Sequence, residues 1–280
     1  MNLGQFTQDG RFLMLALDHR QSIKKLVNPQ NPDQVTDGEI VSLKAEIIDS
    51  LKDQFSGLLI DEVYGLSALD EAKNLRQSLT KPYLLPVEKS GYKSGNGERL
   101  TELEYNMAQL IEMGASGVKL LLYFNPAVES SKSQIETARK VLTDAHEHNL
   151  PLFLELVTYD VESNEKLDGQ KIFDSVKMFL DAGIKADVFK LEYPGRGEEC
   201  LKISNLLSET PWILLTGGEN FDVFKSQLAE AVKNGCKGFL AGRALWQEVT
   251  QLSGDQKREF LDKTLPERFS ALVKIAQGPI

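Results

Sequence analysis

Residues 118–124 read VKLLLYF, an apolar run interrupted by one lysine and followed by a long polar stretch. A run of this length is too short for a buried helix and too apolar for a half-exposed strand, so it predicts a strand buried on both faces. Seven more runs of the same kind are spaced along the chain, at Phe12–Leu17, Gly57–Ile60, Tyr83–Val87, Leu152–Val157, Val188–Glu192, Trp212–Leu215 and Gly238–Ala241. The sequence therefore contains eight candidate strands.

The stretches between these runs have helical spacing, as in Ser133–Glu147. Gly114, Gly183 and Gly235 stand where they could end such helices. Eight alternating strands and helices predict an α/β fold in which the whole chain, residues 1–280, forms a single (β/α)8 TIM barrel. A doubly wound sheet is the alternative, but the even spacing of the eight units favours a closed barrel.

The composition excludes some classes of partner. The chain has 32 Lys and Arg against 41 Asp and Glu, a net charge of −9, which argues against nucleic acid or an anionic membrane as the main partner. The negative net charge is still compatible with a small anionic substrate, because a few lysines or arginines can cluster at one site. Two cysteines without CxxC spacing, no signal-peptide pattern and no apolar run near 18 residues favour a cytoplasmic protein.

Four charged residues stand in or directly after the apolar runs: Asp18, Lys119, Glu155 and Lys190. Burying a charge is costly unless the group is paired or has a chemical task. Lys119, Glu155 and Lys190 belong to the fourth, fifth and sixth strands, which are neighbours in a barrel of this kind. The three side chains are therefore expected to converge on one interior site.

Two lysines beside one carboxylate in an apolar cavity suit amine chemistry. Burial and a second cation both lower the pKa of a lysine, and a neutral amine can attack a ketone to form a Schiff base. The carboxylate can then carry protons through the formation and dehydration of the carbinolamine. A buried ion pair with a structural role is the alternative, although stability alone is a weak reason to build one.

Glycine-containing segments follow the last two predicted strands. Thr216, Gly217 and Gly218 come after the seventh, and Gly242 and Arg243 come after the eighth. The loops after these strands often bind phosphate in (β/α)8 barrels, through backbone N–H groups and a cation. We therefore expect an anion site there. The chain has only three histidines, and His146 and His148 stand two apart on a predicted helix, so no zinc or other metal site is expected.

Six motifs resemble those of a known enzyme family. They are LALDHR at 15–20, VEKSGY at 87–92, GVKLLLYF at 117–124, FLELVTYD at 153–160, DVFKLEYP at 187–194 and AGRALW at 241–246. In this order they resemble the class I tagatose-1,6-bisphosphate aldolases of the LacD-like branch, near the sulfofructose-1-phosphate aldolases. The resemblance runs through most of the chain and implies the same barrel fold.

The resemblance also implies roles for individual residues. It makes Lys190 the Schiff-base lysine, Glu155 the proton shuttle, Lys119 a partner that holds substrate, and Asp18 a ligand of substrate hydroxyls. The substrate-binding residues that it implies are His19, Arg20, Thr216, Gly217, Gly218, Gly242 and Arg243. Of these, Gly217, Gly218, Gly242 and Arg243 would hold the 1-phosphate of the ketose. It further implies a homo-oligomer and no cofactor beyond the covalent Schiff base.

Some positions depart from the family. His19 stands where the family usually has Gln, Thr216 where it usually has Ser, and the segment between Pro194 and Pro211 is shorter. These changes surround the far end of the substrate, so the resemblance does not identify the part of the substrate that becomes the aldehyde product. We expect an aldolase that cleaves a ketose 1-phosphate or 1,6-bisphosphate, such as tagatose 1,6-bisphosphate, to dihydroxyacetone phosphate and an aldehyde. The alternatives are a sulfofructose-1-phosphate aldolase or sulfofructose transaldolase that binds a sulfonated ketose, and a non-enzymatic regulatory barrel that senses sugar phosphates.

Overall fold

A computed structural model describes residues 2–75, 80–163 and 165–278. Its central sheet contains eight parallel strands, named here β1 to β8. They are β1 Arg11–Leu17, β2 Gly57–Ile60, β3 Tyr83–Pro86, β4 Gly117–Phe124, β5 Leu152–Thr158, β6 Val188–Leu191, β7 Trp212–Leu215 and β8 Gly238–Ala241. Each coincides with one of the eight predicted runs to within one residue at either end.

The sheet closes on itself. Each strand pairs with the next one along the chain, and β8 returns to pair with β1, where Gly238 lies opposite Phe12. On the other side of β1, Met14 lies opposite Gly57 of β2. A doubly wound sheet would have two open edges, so the closed ring excludes that alternative. The prediction of a single (β/α)8 barrel is confirmed.

Helices surround the barrel. They are α1 Gln21–Val27, α2 Asp37–Leu51, α3 Gly65–Leu75, α4 Met107–Glu112, α5 Ser131–Glu147, α6 Gly169–Asp181, α7 Gly197–Leu207, α8 Phe221–Lys233, α9 Arg243–Trp246, α10 Gly254–Glu259 and α11 Leu265–Gln277. Several begin at a side-chain cap; Thr36 and Glu39, for example, form a reciprocal capping box at the start of α2. The last helix, α11, packs against α8 and α2 outside the barrel.

Two smaller features flank the barrel strands. The two-residue strand Thr7–Gln8 pairs antiparallel with β1. A hairpin of Lys93–Gly95 and Glu98–Leu100 lies between β3 and α4. Over the described ranges, no helix is both long and apolar enough to cross a membrane.

The interior of the barrel is apolar at one end and polar at the other. Along a strand, alternate residues point to the same side. In β5 the inward positions change from Phe153 to Glu155, and in β6 they change from Val188 to Lys190. Phe6, from the segment before β1, packs edge-on against Phe153 with ring centroids 5.3 Å apart and closes the apolar end. Within the barrel, the charged side chains of Lys119, Glu155 and Lys190 therefore meet on the cavity side of this apolar layer.

The seam between β8 and β1 depends on a glycine. Gly238 has φ of +136°, and a Cβ atom built there would lie 2.0 Å from the carbonyl oxygen of Phe12. Only glycine adopts this conformation without strain, and only glycine allows the two strands to approach so closely.

We predict that Gly238→Ala lowers the free energy of unfolding by about 2 kcal/mol or more, because the methyl group collides with backbone and the residue is strained. Urea unfolding at neutral pH measures the effect. The matched control is Gly38→Ala in α2, where no atom lies within 4 Å of the added Cβ. That control should be neutral or stabilising by up to about 1 kcal/mol, since alanine favours a helix. Equal stability of the two variants would contradict the account of the seam.

Candidate active site

A cavity of about 420 Å³ opens at the carboxyl ends of the strands. Residues from seven of the eight strands or the turns after them line it, and β2 is the strand that contributes none of the described lining residues. These residues include Asp18, Glu88, Lys119, Tyr123, Glu155, Lys190, Glu192, Thr216, Gly217, Gly242 and Arg243. Ten of the eleven residues predicted for the site line this one cavity, and Gly218 lies just behind it.

A carboxylate joins the two interior lysines. Glu155 Oε1 lies 2.9 Å from Lys190 Nζ, and Glu155 Oε2 lies 3.7 Å from Lys119 Nζ. The strand register produces this contact, because Glu155 of β5 is directly opposite Lys190 of β6. All three side chains are more than 90% buried. The convergence expected from the order of the strands is present in the structure.

The Lys119 ammonium has more carboxylate partners than the sequence suggested. Besides Glu155, it contacts Asp18 Oδ2 at 3.1 Å and donates a hydrogen bond to Glu88. Burial lowers the pKa of Lys119, but the Glu88, Asp18 and Glu155 carboxylates outweigh burial and raise it. From the sequence, burial and a second cation were expected to lower the pKa of a lysine in this site, and for Lys119 the shift is in the opposite direction. That expectation counted one carboxylate where the structure has three.

Glu88 was missed as a site residue. It is 2% exposed, and its Oε2 atom has no hydrogen-bond partner among the described residues. Burial raises the pKa of Glu88, although Lys119 opposes the shift. The signal was available in the sequence, because Glu88 is the first charged residue after the third apolar run, just as Asp18 is after the first.

The pKa of Asp18 is shifted in the opposite direction to that of Glu88. Burial raises the pKa of Asp18, but the Lys119 ammonium, through its charge and its hydrogen bond, and the Lys190 ammonium hold it below its usual value. Asp18 therefore stays ionised, while Glu88 is the carboxyl group that binds a proton more readily.

The turn after β1 is held from beneath by a buried ion pair. Lys44, which is fully buried in α2, pairs with Asp61 and donates a 2.9 Å hydrogen bond to the carbonyl oxygen of His19. Asp61 in turn accepts a 2.7 Å hydrogen bond from the backbone N–H of Tyr64. These contacts fix the backbone that carries Asp18, His19 and Arg20 into the cavity.

His19 is a neutral polar group in this site. Its ring packs edge-on against Trp246, with centroids 5.1 Å apart, and its Nδ1 atom has no partner within the described ranges. Burial lowers the pKa of His19 to about 3, with help from Arg243 and Lys44 and against the Asp18 carboxylate. At neutral pH the imidazole is therefore uncharged and can donate or accept one hydrogen bond.

Arg20 reaches the cavity wall with its charge already engaged. Its Nη1 atom lies 3.1 Å from Glu62 and 3.0 Å from Glu104, and its Nη2 donates a 2.8 Å hydrogen bond to the carbonyl oxygen of Glu88. The side chain is 8% exposed. The structure thus places this predicted binding residue at the site but between two carboxylates.

The loops after β7 and β8 form another wall of the cavity, and the loop after β8 lies next to the turn after β1. Gly217 and Gly218 have φ values of +57° and +86°, which favour glycine and bend the backbone around Arg243. A Cβ on Gly218 would lie 3.5 Å from the Arg243 guanidinium. Within the residues that the structure describes, Arg243 forms no ion pair, so it can bind an anion together with nearby backbone N–H groups.

A second carboxyl group was also missed. Glu192, two residues after Lys190 on the inward side of the chain, lines the cavity and accepts hydrogen bonds from Thr158 at 2.6 Å (Oγ1) and 2.8 Å (N). Burial raises its pKa. Glu192 ended the sixth apolar run, so in the sequence it marked the boundary of a strand.

Two other findings concern metals and thiols. No group of three or more His, Cys, Asp or Glu side chains is arranged to hold a metal ion in residues 2–75, 80–163 and 165–278. Cys200 and Cys236 are buried free thiols away from the cavity.

Comparison with known proteins gives a consistent picture. A family model described as DeoC/LacD family aldolase matches residues 12–248. A tagatose 1,6-diphosphate aldolase of Staphylococcus aureus is 28% identical over 291 aligned positions, which cover 91% of this chain and 88% of that protein.

Solved structures show the same fold. An archaeal fructose 1,6-bisphosphate aldolase superimposes with a TM-score of 0.69 at 17% identity, and the match covers 99% of both chains. In another archaeal fructose-1,6-bisphosphate aldolase the catalytic lysine is covalently bound to a carbinolamine intermediate; its TM-score is 0.64 at 16% identity, over 98% of this chain and 99% of that one. Because the family model spans most of the sequence, this chain belongs to the DeoC/LacD aldolase family and is an aldehyde-lyase, as its motifs predicted.

Proposed function

We propose that this protein is a class I aldolase that forms a Schiff base between Lys190 and the C2 carbonyl of a ketose phosphate. The observation that carries the proposal is the position of Glu155, which lies 2.9 Å from Lys190 and 3.7 Å from Lys119 at the inner end of one cavity. An amine beside a carboxylate is the pair that imine formation requires.

In the first half of the reaction, the neutral Lys190 amine attacks C2 to give a carbinolamine. Glu155 protonates the departing hydroxyl, water leaves, and a protonated imine remains. This imine is itself the electron sink, so the mechanism uses no metal and no added cofactor. Lys119 stays cationic and orients Glu155 and the substrate oxygens.

In the second half, a base removes the proton of the C4 hydroxyl and the C3–C4 bond breaks. The electrons of that bond pass into the imine, giving an enamine, and the aldehyde leaves. Protonation of the enamine at C3 and hydrolysis of the imine then release dihydroxyacetone phosphate. Glu155 is our choice for most of these transfers, with the ionised Asp18 holding substrate hydroxyls.

The 1-phosphate of the ketose belongs at the loops after β7 and β8. Thr216, Gly217, Gly242 and Arg243 line the cavity on the same side as Lys190 of β6. The loops after the seventh and eighth strands are a common phosphate site in this fold. Binding there leaves C2 of the ketose beside Lys190.

The name of the Staphylococcus aureus relative suggests tagatose 1,6-bisphosphate as a substrate. A sulfofructose-1-phosphate aldolase or a sulfofructose transaldolase would use the same lysine and the same enamine. A sugar-phosphate sensor would need Arg243 but not an amine–carboxylate pair, so the contact between Glu155 and Lys190 disfavours it. A cytoplasmic location and a homo-oligomeric state stay predictions from the sequence.

We predict that Lys190→Met abolishes turnover and covalent trapping, because the side chain keeps its length but loses its nucleophile. Sodium borohydride treatment with dihydroxyacetone phosphate, followed by peptide mass mapping, should place an adduct on Lys190 in the unmodified protein and none in the variant. Lys140→Met, on the exposed face of α5, is the control and should still be labelled at Lys190. A well-folded Lys190→Met protein with full activity would overturn the mechanism.

We predict that Arg243→Ala raises KM for a ketose 1-phosphate by about tenfold to a hundredfold, as expected for a lost hydrogen bond to a charged group of about 1.5–3 kcal/mol. Because Arg243 has no ion-pair partner in the described chain, the thermal midpoint should change little. Arg258→Ala, on the exposed side of α10, provides the comparison. If KM moves no more in Arg243→Ala than in Arg258→Ala, the phosphate does not bind here.

We predict that Glu88→Gln shifts the alkaline limb of the kcat/KM profile to lower pH by roughly one unit or more. Glu88 is the strongest of the carboxylates that raise the pKa of Lys119, so removing its charge lets Lys119 lose its proton at lower pH. Glu136→Gln, an exposed partner of Arg139, is the control. A lower kcat with an unchanged alkaline limb would mean that Glu88 only supports the structure.

A further inference from the structure

The two ends of the cavity differ in their uncompensated charge. At the β7–β8 end, Arg243 lies beside Gly217 and Gly242 and forms no ion pair within the described chain. A cation of this kind beside backbone N–H groups favours a dianion. If the 1-phosphate binds there and C2 reaches Lys190, the remaining carbons extend past Lys119 and Asp18 towards the loops after β1 and β3.

The cation at that far end is already neutralised. Arg20 is 8% exposed, and its Nη1 atom lies 3.1 Å from Glu62 and 3.0 Å from Glu104. Its Nη2 atom is occupied by the carbonyl oxygen of Glu88 at 2.8 Å. A phosphate that approached Arg20 would therefore meet two carboxylates around a single guanidinium, and repulsion would offset the attraction.

A second cation that lines this end of the cavity is Lys89. It is about half exposed and lies 3.9 Å from Glu102, so solvent screens its charge. Arg20 and Lys89 together carry two positive charges, against three negative charges on Glu62, Glu102 and Glu104. The cluster that these five groups form is thus net negative by one charge when all five are ionised.

Neutral hydrogen-bonding groups complete this end of the cavity. Ser22, Ser90 and Gly91 line it together with Arg20 and Lys89. Serine hydroxyls both donate and accept hydrogen bonds, which suits the hydroxyl groups of a sugar.

We propose that the far end of the substrate carries no phosphate or sulfonate, so that the substrate is a ketose 1-phosphate and the aldehyde product is uncharged. Glu62 and Glu104 are the specificity-determining residues, because they neutralise Arg20 and repel a second anion. This inference rests on the proposed function. It narrows the proposed class of substrates to monophosphates and disfavours 1,6-bisphosphates and 6-sulfonates.

The synthetic direction tests the inference directly. Dihydroxyacetone phosphate is the common donor, and the acceptors are D-glyceraldehyde, D-glyceraldehyde 3-phosphate and 3-sulfolactaldehyde. We expect kcat/KM for glyceraldehyde to exceed that of either anionic acceptor by about tenfold or more. Raising the salt concentration should narrow this ratio, because the discrimination is electrostatic.

Variants of the two glutamates test the cause. Glu62→Gln and Glu104→Gln each free part of the Arg20 charge and should raise the glyceraldehyde 3-phosphate to glyceraldehyde ratio of kcat/KM by about fivefold or more. Glu104 is 38% exposed, so Glu104→Gln is expected to fold and can be measured even if the protein with the buried Glu62→Gln change does not fold. The matched control is Glu248→Gln, which removes a carboxylate 2.8 Å from Arg268 outside the cavity and should leave the ratio unchanged.

The outcomes separate this inference from the proposed function. A borohydride adduct on Lys190 together with a preference for an anionic acceptor would overturn the inference and leave the Schiff-base mechanism standing. An unchanged acceptor ratio in Glu104→Gln would remove the assigned cause. Absence of both the adduct and any turnover would instead overturn the proposed function.

Discussion

The functional site depends on one carboxylate shared by two buried lysines. Glu155 contacts Lys190 and Lys119 at once, and it is the carboxylate that pairs with the buried Lys190, whereas Lys119 also contacts Asp18 and Glu88. The barrel register supplies the geometry: Glu155 of β5 is directly opposite Lys190 of β6, and Lys119 of β4 lies two residues before Leu121, the residue opposite Glu155. Removing one member leaves an unpaired buried charge, which is far more costly than the net worth of the pair. Scaffold and chemistry are therefore coupled through this contact.

The surrounding charges give the two lysines different roles. Lys119 is held by Asp18, Glu88 and Glu155, and these carboxylates raise its pKa, so it acts as a fixed cation. In the proposed reaction, the Lys190–Glu155 pair is then the place where a proton can move. The buried Lys44–Asp61 pair has a structural role, since it secures the turn that carries Asp18.

The order of the strands and the central site could be predicted because both depend on local patterns. A strand buried on both faces is a continuous apolar run, and a charged residue within such a run is conspicuous. Glu88, Glu62 and Glu104 were harder to recognise, because their roles arise from contacts with Lys119 and Arg20, which lie 31 to 84 positions away in the chain. The sequence therefore indicated Arg20 as a substrate-binding residue, but not the carboxylates that neutralise it.

The Phe6 ring has a kinetic consequence. It packs on Phe153 and, within the described residues, fills the apolar end of the barrel, so the cavity opens towards the carboxyl ends of the strands. Substrate and both products must share this route. In the proposed reaction the three-carbon enamine stays covalently attached to Lys190, while the aldehyde fragment lies nearer the opening of the cavity. The two products therefore leave in a fixed order, with the aldehyde first. Accumulated aldehyde can re-enter the cavity and reverse the bond cleavage before the enamine is protonated and the free enzyme is restored.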